Sequence, residues 1–400
     1  MNKKIVYEFY LLSMIGHLGL SFTYGTYVVF LREHRLDLFQ VNMINFVYFA
    51  TLTFCEIPTG AFADIFGRKY SYIISCILMS LGLLIYAGSA TWLFFILAEA
   101  TIAIGSTFRS GAFGAWFVDR MKHDGYTGSL QKTFARAEQL QRITCMVAVV
   151  IGSALSEIWS PFPFMLGSLS FFINAMVAIF IKEEYFKKEK LRLKESFLSF
   201  KKITLDSIKI CRNNEAIKFI MLLISLQFFA IQTVNMHWQP FFNEWVDNRT
   251  FFGFITVGFN LCILFGNWVS PFIYRKINCE KKSLIFCQSL IALFIILTSL
   301  CQGFLCESFL TALIFFYVHE FFRGGFTPIK SSYLHENITS KERATISSLE
   351  SLVQHGVGML GLLISGLIAR QFGVSATWFL MGSFLFITTL FFTRKRKVRW

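Results

Sequence analysis

The sequence predicts an all-α polytopic membrane protein, with twelve transmembrane helices in two six-helix halves, and three observations carry that expectation. The first is composition: mean hydropathy is +0.56, and 55% of residues are hydrophobic against 16% charged. A soluble chain of this length would carry about a quarter of its residues as Asp, Glu, Lys and Arg. The second is that the apolar residues gather into runs of about 20, the length that crosses a bilayer core. The third is the placement of charge. The net charge of +14 is not one basic patch, so it points away from nucleic acid. Its cations recur between the apolar runs, as in loops that face an anionic inner leaflet.

The first run, near 7–30, follows Lys3 and Lys4. It is longer than the 7–15 apolar residues, roughly, of a cleavable signal peptide, so it is expected to stay in the protein. The next runs lie near 39–58, 71–89 and 92–116, the last two joined by a short turn. The fifth and sixth, near 138–158 and 162–181, form another such pair. Six more follow near 216–238, 250–272, 283–301, 308–330, 347–369 and 373–393. Alternate loops are basic: Arg68 and Lys69; Arg120, Lys122, Lys132 and Arg136; Arg275, Lys276, Lys281 and Lys282; Lys341 and Arg343. The tail adds Arg394 to Lys397 and Arg399, whereas the other loops hold chiefly Arg32, Arg35, Arg249 and Arg370. An even number of spans with both ends basic places both termini in the cytoplasm.

The longest polar segment, 182–215, divides the chain into an N-terminal bundle (1–181) and a C-terminal bundle with a basic tail (216–400). It is rich in Lys and Glu and lacks Pro and Gly. Lys202, Asp206 and Lys209 fall in one sector of a helix over 197–210, with apolar residues around the rest. Such a helix would lie on the membrane surface, and a disordered basic linker is the other reading. The nine cysteines show no C-x-x-C spacing. Cys55, Cys76, Cys145, Cys262 and Cys287 read as small hydrophobes, and Cys301 and Cys306 are the one pair close enough to consider bridging. No metal or organic cofactor is expected.

Between the second and third runs stands Gly60-Ala-Phe-Ala-Asp64-Ile-Phe-Gly67-Arg68-Lys69. A glycine permits close helix approach, an Asp can cap a helix end or accept from a cation, and Arg-Lys holds the turn in the cytoplasm. The string resembles the loop motif of the major facilitator superfamily of secondary transporters. Position 65 departs from it, with Ile where the family usually has a basic residue. Gly266 and Arg275-Lys276 echo Gly60 and Arg68-Lys69 in the second half, without a counterpart of Asp64. The resemblance implies the major facilitator fold, two parallel pseudo-repeats with the substrate route between them. It also implies a gating role for Gly60, Asp64, Gly67, Arg68 and Lys69, and a monomer in the lipid bilayer acting on a small molecule. Glu56-Ile-Pro-Thr-Gly60 resembles multidrug and tetracycline-type efflux carriers. The fifth run lacks the G-P-x-x-G-G ending of many drug/proton antiporters, offering only Gly152.

An ionisable group inside a span costs roughly 2.5–3.5 kcal/mol to insert, so each is a functional candidate. Arg109 has no acidic neighbour at helical spacing and needs a partner on another helix, an anionic substrate or water. Arg142 lies four residues after Glu138, on the same face. Arg136 and Glu138 also read as helix-end caps. Glu320 and Arg323, beside His319, form either a switchable pair or a structural one. Asn235 and His237 add a polar group, and Glu350 has only His355 nearby in sequence. Arg109, Arg142, Asn235, His237, Glu320, Arg323 and Glu350 are therefore expected along the substrate and proton pathway, with Glu99 nearer the outer end of its span. Glu350 is the expected protonation site, and Asp64 with Arg68 the expected gate. His17 and His237 read as hydrogen-bonded interior groups rather than proton carriers.

The chain has no phosphate-binding G-x-x-x-x-G-K-[ST] loop, and His319-Glu320-x-x-Arg323 is not a zinc-protease motif. It is not expected to be an enzyme, and its energy would come from the proton gradient. The expected activity is proton-coupled efflux by alternating access across a bacterial cytoplasmic membrane. Proton-coupled uptake of a polar or anionic metabolite is the alternative, and a non-transporting receptor or assembly factor on the same fold is the third.

Overall fold

The computed structural model of the chain describes residues 3–181, 205, 208–303, 307–339 and 342–394. The surface helix considered over 197–210 falls largely outside these residues, as does Cys306. The described residues form thirteen helices: α1 (Lys3–Ser21), α2 (Tyr27–Glu33), α3 (Leu38–Phe66), α4 (Arg68–Gly88), α5 (Trp92–Ser110), α6 (Phe113–His123), α7 (Leu130–Ile158), α8 (Phe162–Phe180), α9 (Glu215–Phe242), α10 (Thr250–Ile277), α11 (Glu280–Leu300), α12 (Phe309–Glu336) and α13 (Arg343–Arg394).

Among the described residues, nine helical stretches are long and apolar enough to cross a membrane. The last of them, Thr345–Phe392, holds two of the expected spans, and Gly373 (φ 81°, ψ 177°) breaks α13 between them. α1 and α12 are not among the nine. α1 begins with Lys3, Lys4 and Glu8, and α12 carries Glu320, Arg323, Lys330 and Glu336.

Four expected boundaries change. The first run is two helices, α1 and α2, parted at 22–26, and the fourth is α5 and α6, parted at Gly111. α7 starts at Leu130 with Ser129 capping the Lys132 amide, so Arg136 and Glu138 lie inside the helix and cap nothing. α3 continues past Pro58 to Phe66. The motif at 60–69 is therefore not a loop but a helix end, one joint residue and a helix start. Gly67 is the joint: its φ of 111° lies where a side chain would be strained, and it turns α3 directly into α4.

The described residues fall into two compact units. The first takes in Met1–Leu36, Val47–Lys201 and Asn248–Thr256. Within it α4 packs on α5 and α8, and α1 on α7 and α8. Small residues let these helices approach. A Cβ on Gly105 would press on the Ser75 carbonyl at 3.1 Å, and Ser80 Oγ reaches Ser168 Oγ at 2.8 Å. Packing of small residues and interhelical hydroxyl bonds replaces the hydrophobic drive that lipid removes. Phe30, Phe95, Phe164 and Tyr86 fill one end of the core, and Tyr72, Phe113, Trp116 and Phe117 the other.

The second unit takes in Asp37–Phe46, Lys202–Asp247 and Val257–Trp400. Here α9 packs on α13, and α11 on α12 and α13. Trp378 stacks on Phe241 with centroids 4.6 Å apart, and Gln288 donates to Thr389 Oγ1 at 3.0 Å. Gly266 lies against the Phe321 carbonyl, leaving no room for a Cβ. Gly60, its counterpart in the first half, has open space where its Cβ would be, so the expected close packing occurs only at Gly266. Before α13, the Thr339 amide and hydroxyl donate to Glu342 Oε2 at 2.9 and 2.8 Å. These donors hold the Glu342 carboxyl below its usual range. Its contribution to the turn is therefore present above the unfolded-state value and lost as pH falls through the lowered one.

Candidate functional site

Arg109 lies in the last turn of α5, two residues before the break at Gly111, and lines a cavity of about 250 Å³ inside the first unit. Ser13 and His17 of α1, Tyr72 of α4, Ser110 of α5 and Gln141 of α7 supply polar groups to the same cavity. The break between α5 and α6 adds Phe113 and Gly114 to the wall. Among the described residues Arg109 makes no ion pair and no hydrogen bond. Of the partners the sequence left open, one on another helix is ruled out among those residues. A fixed, unpaired cation beside several hydrogen-bonding side chains is suited to an anionic group carried by a small molecule.

In the second unit a polar cluster joins α9 and α12. Arg323 Nη1 donates to Asn235 Oδ1 at 3.0 Å and to Glu320 Oε1 at 3.1 Å. His319 Nε2 lies 3.4 Å from the same carboxylate oxygen. Glu320 is 3% exposed, while the Arg323 side chain keeps 32%, so the acid is interior and the base reaches out of the core. The expected Glu320–Arg323 pair is thus present, with Asn235 as a third member that the sequence did not connect to it.

Asn235 and His237 do not act together. They are two residues apart, so they point about 200° apart around the helix. His237 Nε2 instead meets Asn42 Oδ1 at 3.1 Å, and Asn42 Nδ2 donates to Leu362 O at 2.9 Å and Ser365 Oγ at 3.0 Å. With both Asn42 protons so used, its Oδ1 accepts, and His237 carries its proton on Nε2. His237 is fully buried in this helix-to-helix contact, the interior role read for it as a histidine rather than a place on a pathway.

Glu350 is corrected more sharply. Lys330 Nζ lies 2.6 Å from its Oε1, and Gln354 Nε2 donates to the same oxygen at 3.2 Å. A cation on α12 pairs with this carboxylate, so the argument for it as the protonation site, that only His355 is near it, no longer holds. Sequence spacing could not find Lys330, because it lies on another helix. Replacing Lys330 by Met should leave Glu350 uncompensated and lower the unfolding midpoint, with Glu350→Gln in the same chain restoring most of the loss. Thermal unfolding of the detergent-solubilised variants measures both.

Arg142 donates to Glu138 at 2.8 Å along α7, as the spacing implied, but the side chains are 35% and 63% exposed. At the motif, Arg68 pairs with Asp119 of α6 and not with Asp64. Lys69 donates to the Ile179 carbonyl at 3.0 Å. Arg68→Ala and Asp119→Asn are expected to change transport alike, with the double variant no worse than either. With the pair 32% and 44% exposed, the stability cost should stay below about 1 kcal/mol. An effect of Asp119→Asn that simply adds to that of Arg68→Ala in a transport assay would exclude the coupling.

Glu99 is a further acidic residue inside a span. It is 8% exposed and accepts from Tyr86 Oη at 2.5 Å. The sequence marked Glu99 but gave no sign of its tyrosine partner on α4.

Among the described residues the protein is helical without a strand, with long apolar helices, buried ionisable clusters and a polar cavity, as suits a polytopic membrane transporter. The family model of the Major Facilitator Superfamily matches residues 9–301 and 248–400. The chain belongs to this superfamily. It is 25% identical to the Uncharacterized MFS-type transporter YxaM of Bacillus subtilis (strain 168), over 98% of this chain and 96% of that protein. Its fold is that of the nucleoside transporter NupG, with TM-score 0.79 at 14% identity over the whole of both chains. An auto-inhibited POT family peptide transporter follows with TM-score 0.73 at 12% identity, over 99% of this chain and 98% of that one. A POT family transporter in complex with 5-aminolevulinic acid gives 0.69 at 13%, over 98% and 95%.

Proposed function

We propose that this chain is a proton-coupled carrier of a small polar solute bearing an anionic group, working by alternating access between its two halves. The observation that carries the reading is Arg109, a cation without a partner among the described residues, set in a cavity with Ser13, His17 and Gln141. A drug-export site would gain from apolar and aromatic walls, whereas this lining is rich in hydrogen-bonding groups. Solved relatives on the same fold are named for nucleosides, for peptides and for a complex with 5-aminolevulinic acid, all polar molecules. That favours uptake. Efflux is the second reading, and Glu56-Ile-Pro-Thr-Gly60, with its resemblance to efflux carriers, is what favours it. In either direction the reading has twelve spans, a monomer, both termini in the cytoplasm of a bacterium and the motif at 60–69 as the inner gate.

The test uses the purified full chain in proteoliposomes with labelled 5-aminolevulinic acid, a dipeptide and uridine as probes. Accumulation of a carboxylate-bearing probe when the lumen is alkaline supports uptake by symport. Accumulation when the lumen is acidic supports antiport, the efflux reading. Preference for uridine over both carboxylates would sink the anionic-group proposal.

A further inference from the structure

We propose that Glu99 is a proton-binding site of the first unit, served by the hydroxyls of Tyr86 and Tyr27 and distinct from the Arg109 cavity. This deepens the reading above and rests on it for the coupling of proton to solute. Tyr86 Oη donates to Glu99 Oε2 at 2.5 Å and lies 3.0 Å from Tyr27 Oη. Tyr27 is itself within hydrogen-bonding reach of the carboxylate. Phe95 on α5 and Phe164 on α8 stack on the Tyr86 ring, Phe30 on α2 packs on both, and Glu99 beside them is 8% exposed.

No cation lies within ion-pair distance of Glu99 among the described residues. That sets it apart from Glu320, which has Arg323, and from Glu350, which has Lys330. The ionisable groups around it are few. α2 offers Tyr27, and its C-cap His34 packs its ring on Phe95 with Nδ1 facing the Phe30 carbonyl. α4 offers Tyr86, and α3 offers Tyr48, which donates to Ser106 at 3.3 Å. Arg109 lies further along α5, about 15 Å away.

An ionised carboxylate in such surroundings is costly unless paired, and hydroxyls compensate only part of the cost. Binding one proton removes the charge with no other bond made or broken. The tyrosines also suit both states. A phenol donates to a carboxylate and accepts from a carboxylic acid, so the network stays satisfied whether or not the proton is present. An Arg or Lys partner could not do this.

Infrared difference spectroscopy of the full chain in lipid, recorded as pH is stepped, tests the site. The expected result is a protonated-carboxyl carbonyl band that is lost in Glu99→Gln and kept in Glu320→Gln and Glu350→Gln. Tyr86→Phe should move the band to higher wavenumber, the mark of a carboxyl that has lost a hydrogen bond. This variant also covers the case in which Glu99→Gln folds poorly. A band that survives Glu99→Gln, or the absence of any such band in the unaltered chain, would overturn the inference. In proteoliposomes with labelled 5-aminolevulinic acid, Glu99→Gln should lose pH-driven accumulation and keep exchange, and intact accumulation would also overturn it. If the unaltered chain accumulates nothing under a pH gradient, the coupling reading fails instead, and the infrared result still decides whether Glu99 binds the proton.

Discussion

Replacing Arg109 by Gln is expected to weaken binding of the transported anion by about 10- to 100-fold, with little change in protein stability. A hydrogen bond to a charged group contributes about 1.5–3 kcal/mol, and each 1.4 kcal/mol, roughly, is tenfold in affinity. Stability should hold because Arg109 has no carboxylate that its removal would orphan. A cation kept within a span without a partner carries an insertion cost that packing does not explain. Arg109→Lys should fall between the two, since it keeps the charge and loses the planar fork that grips a carboxylate through two bonds. Binding measured by counterflow, beside thermal unfolding in detergent, separates the effects. An Arg109→Gln chain that unfolds early and binds normally would return Arg109 to a structural role.

Removing Arg323 should have the opposite profile. Arg323→Met leaves Glu320, 3% exposed, facing only His319 at 3.4 Å and strips Asn235 of its donor. Breaking a buried pair by one partner costs about 3–5 kcal/mol. With the Arg323 side chain 32% exposed, solvent screening should bring the loss to about 2–3 kcal/mol. Glu320→Gln with Arg323→Met should recover most of it, because the uncompensated charge is then gone. A double-mutant cycle on unfolding midpoints reads the coupling directly. Simple additivity would mean that the pair is not coupled, and its use as a switch would fall with that.

Much of the candidate chemistry could be named in advance because a span is a hostile place for charge. Arg109, Glu320 and Arg323 stand out against apolar neighbours whatever the fold, and their local spacing linked the last two. What spacing could not provide was any partner on another helix. Lys330 for Glu350, Asp119 for Arg68, Asn42 for His237 and Tyr86 for Glu99 are each separated in sequence by a turn or more of chain that the tertiary structure folds back. One of those partners reversed an expectation, turning Glu350 into a paired ion, and another gave the motif's Arg68 a partner on α6.

The sequence by itself determined that this chain is helical, spans a membrane repeatedly and belongs among secondary transporters. Runs of apolar residues, the basic loops between them and a ten-residue motif are local signals, and a bilayer leaves a helix little alternative because its backbone must be satisfied within the segment. The tertiary structure alone decided where helices break and which ionisable groups are paired from one helix to another. Backbone torsions at Gly67 and Gly373, and the meeting of side chains from separate helices, follow from packing that no periodicity encodes. That packing is why Arg109 has no charged partner among the described residues, and why Glu99 meets tyrosines in place of a cation.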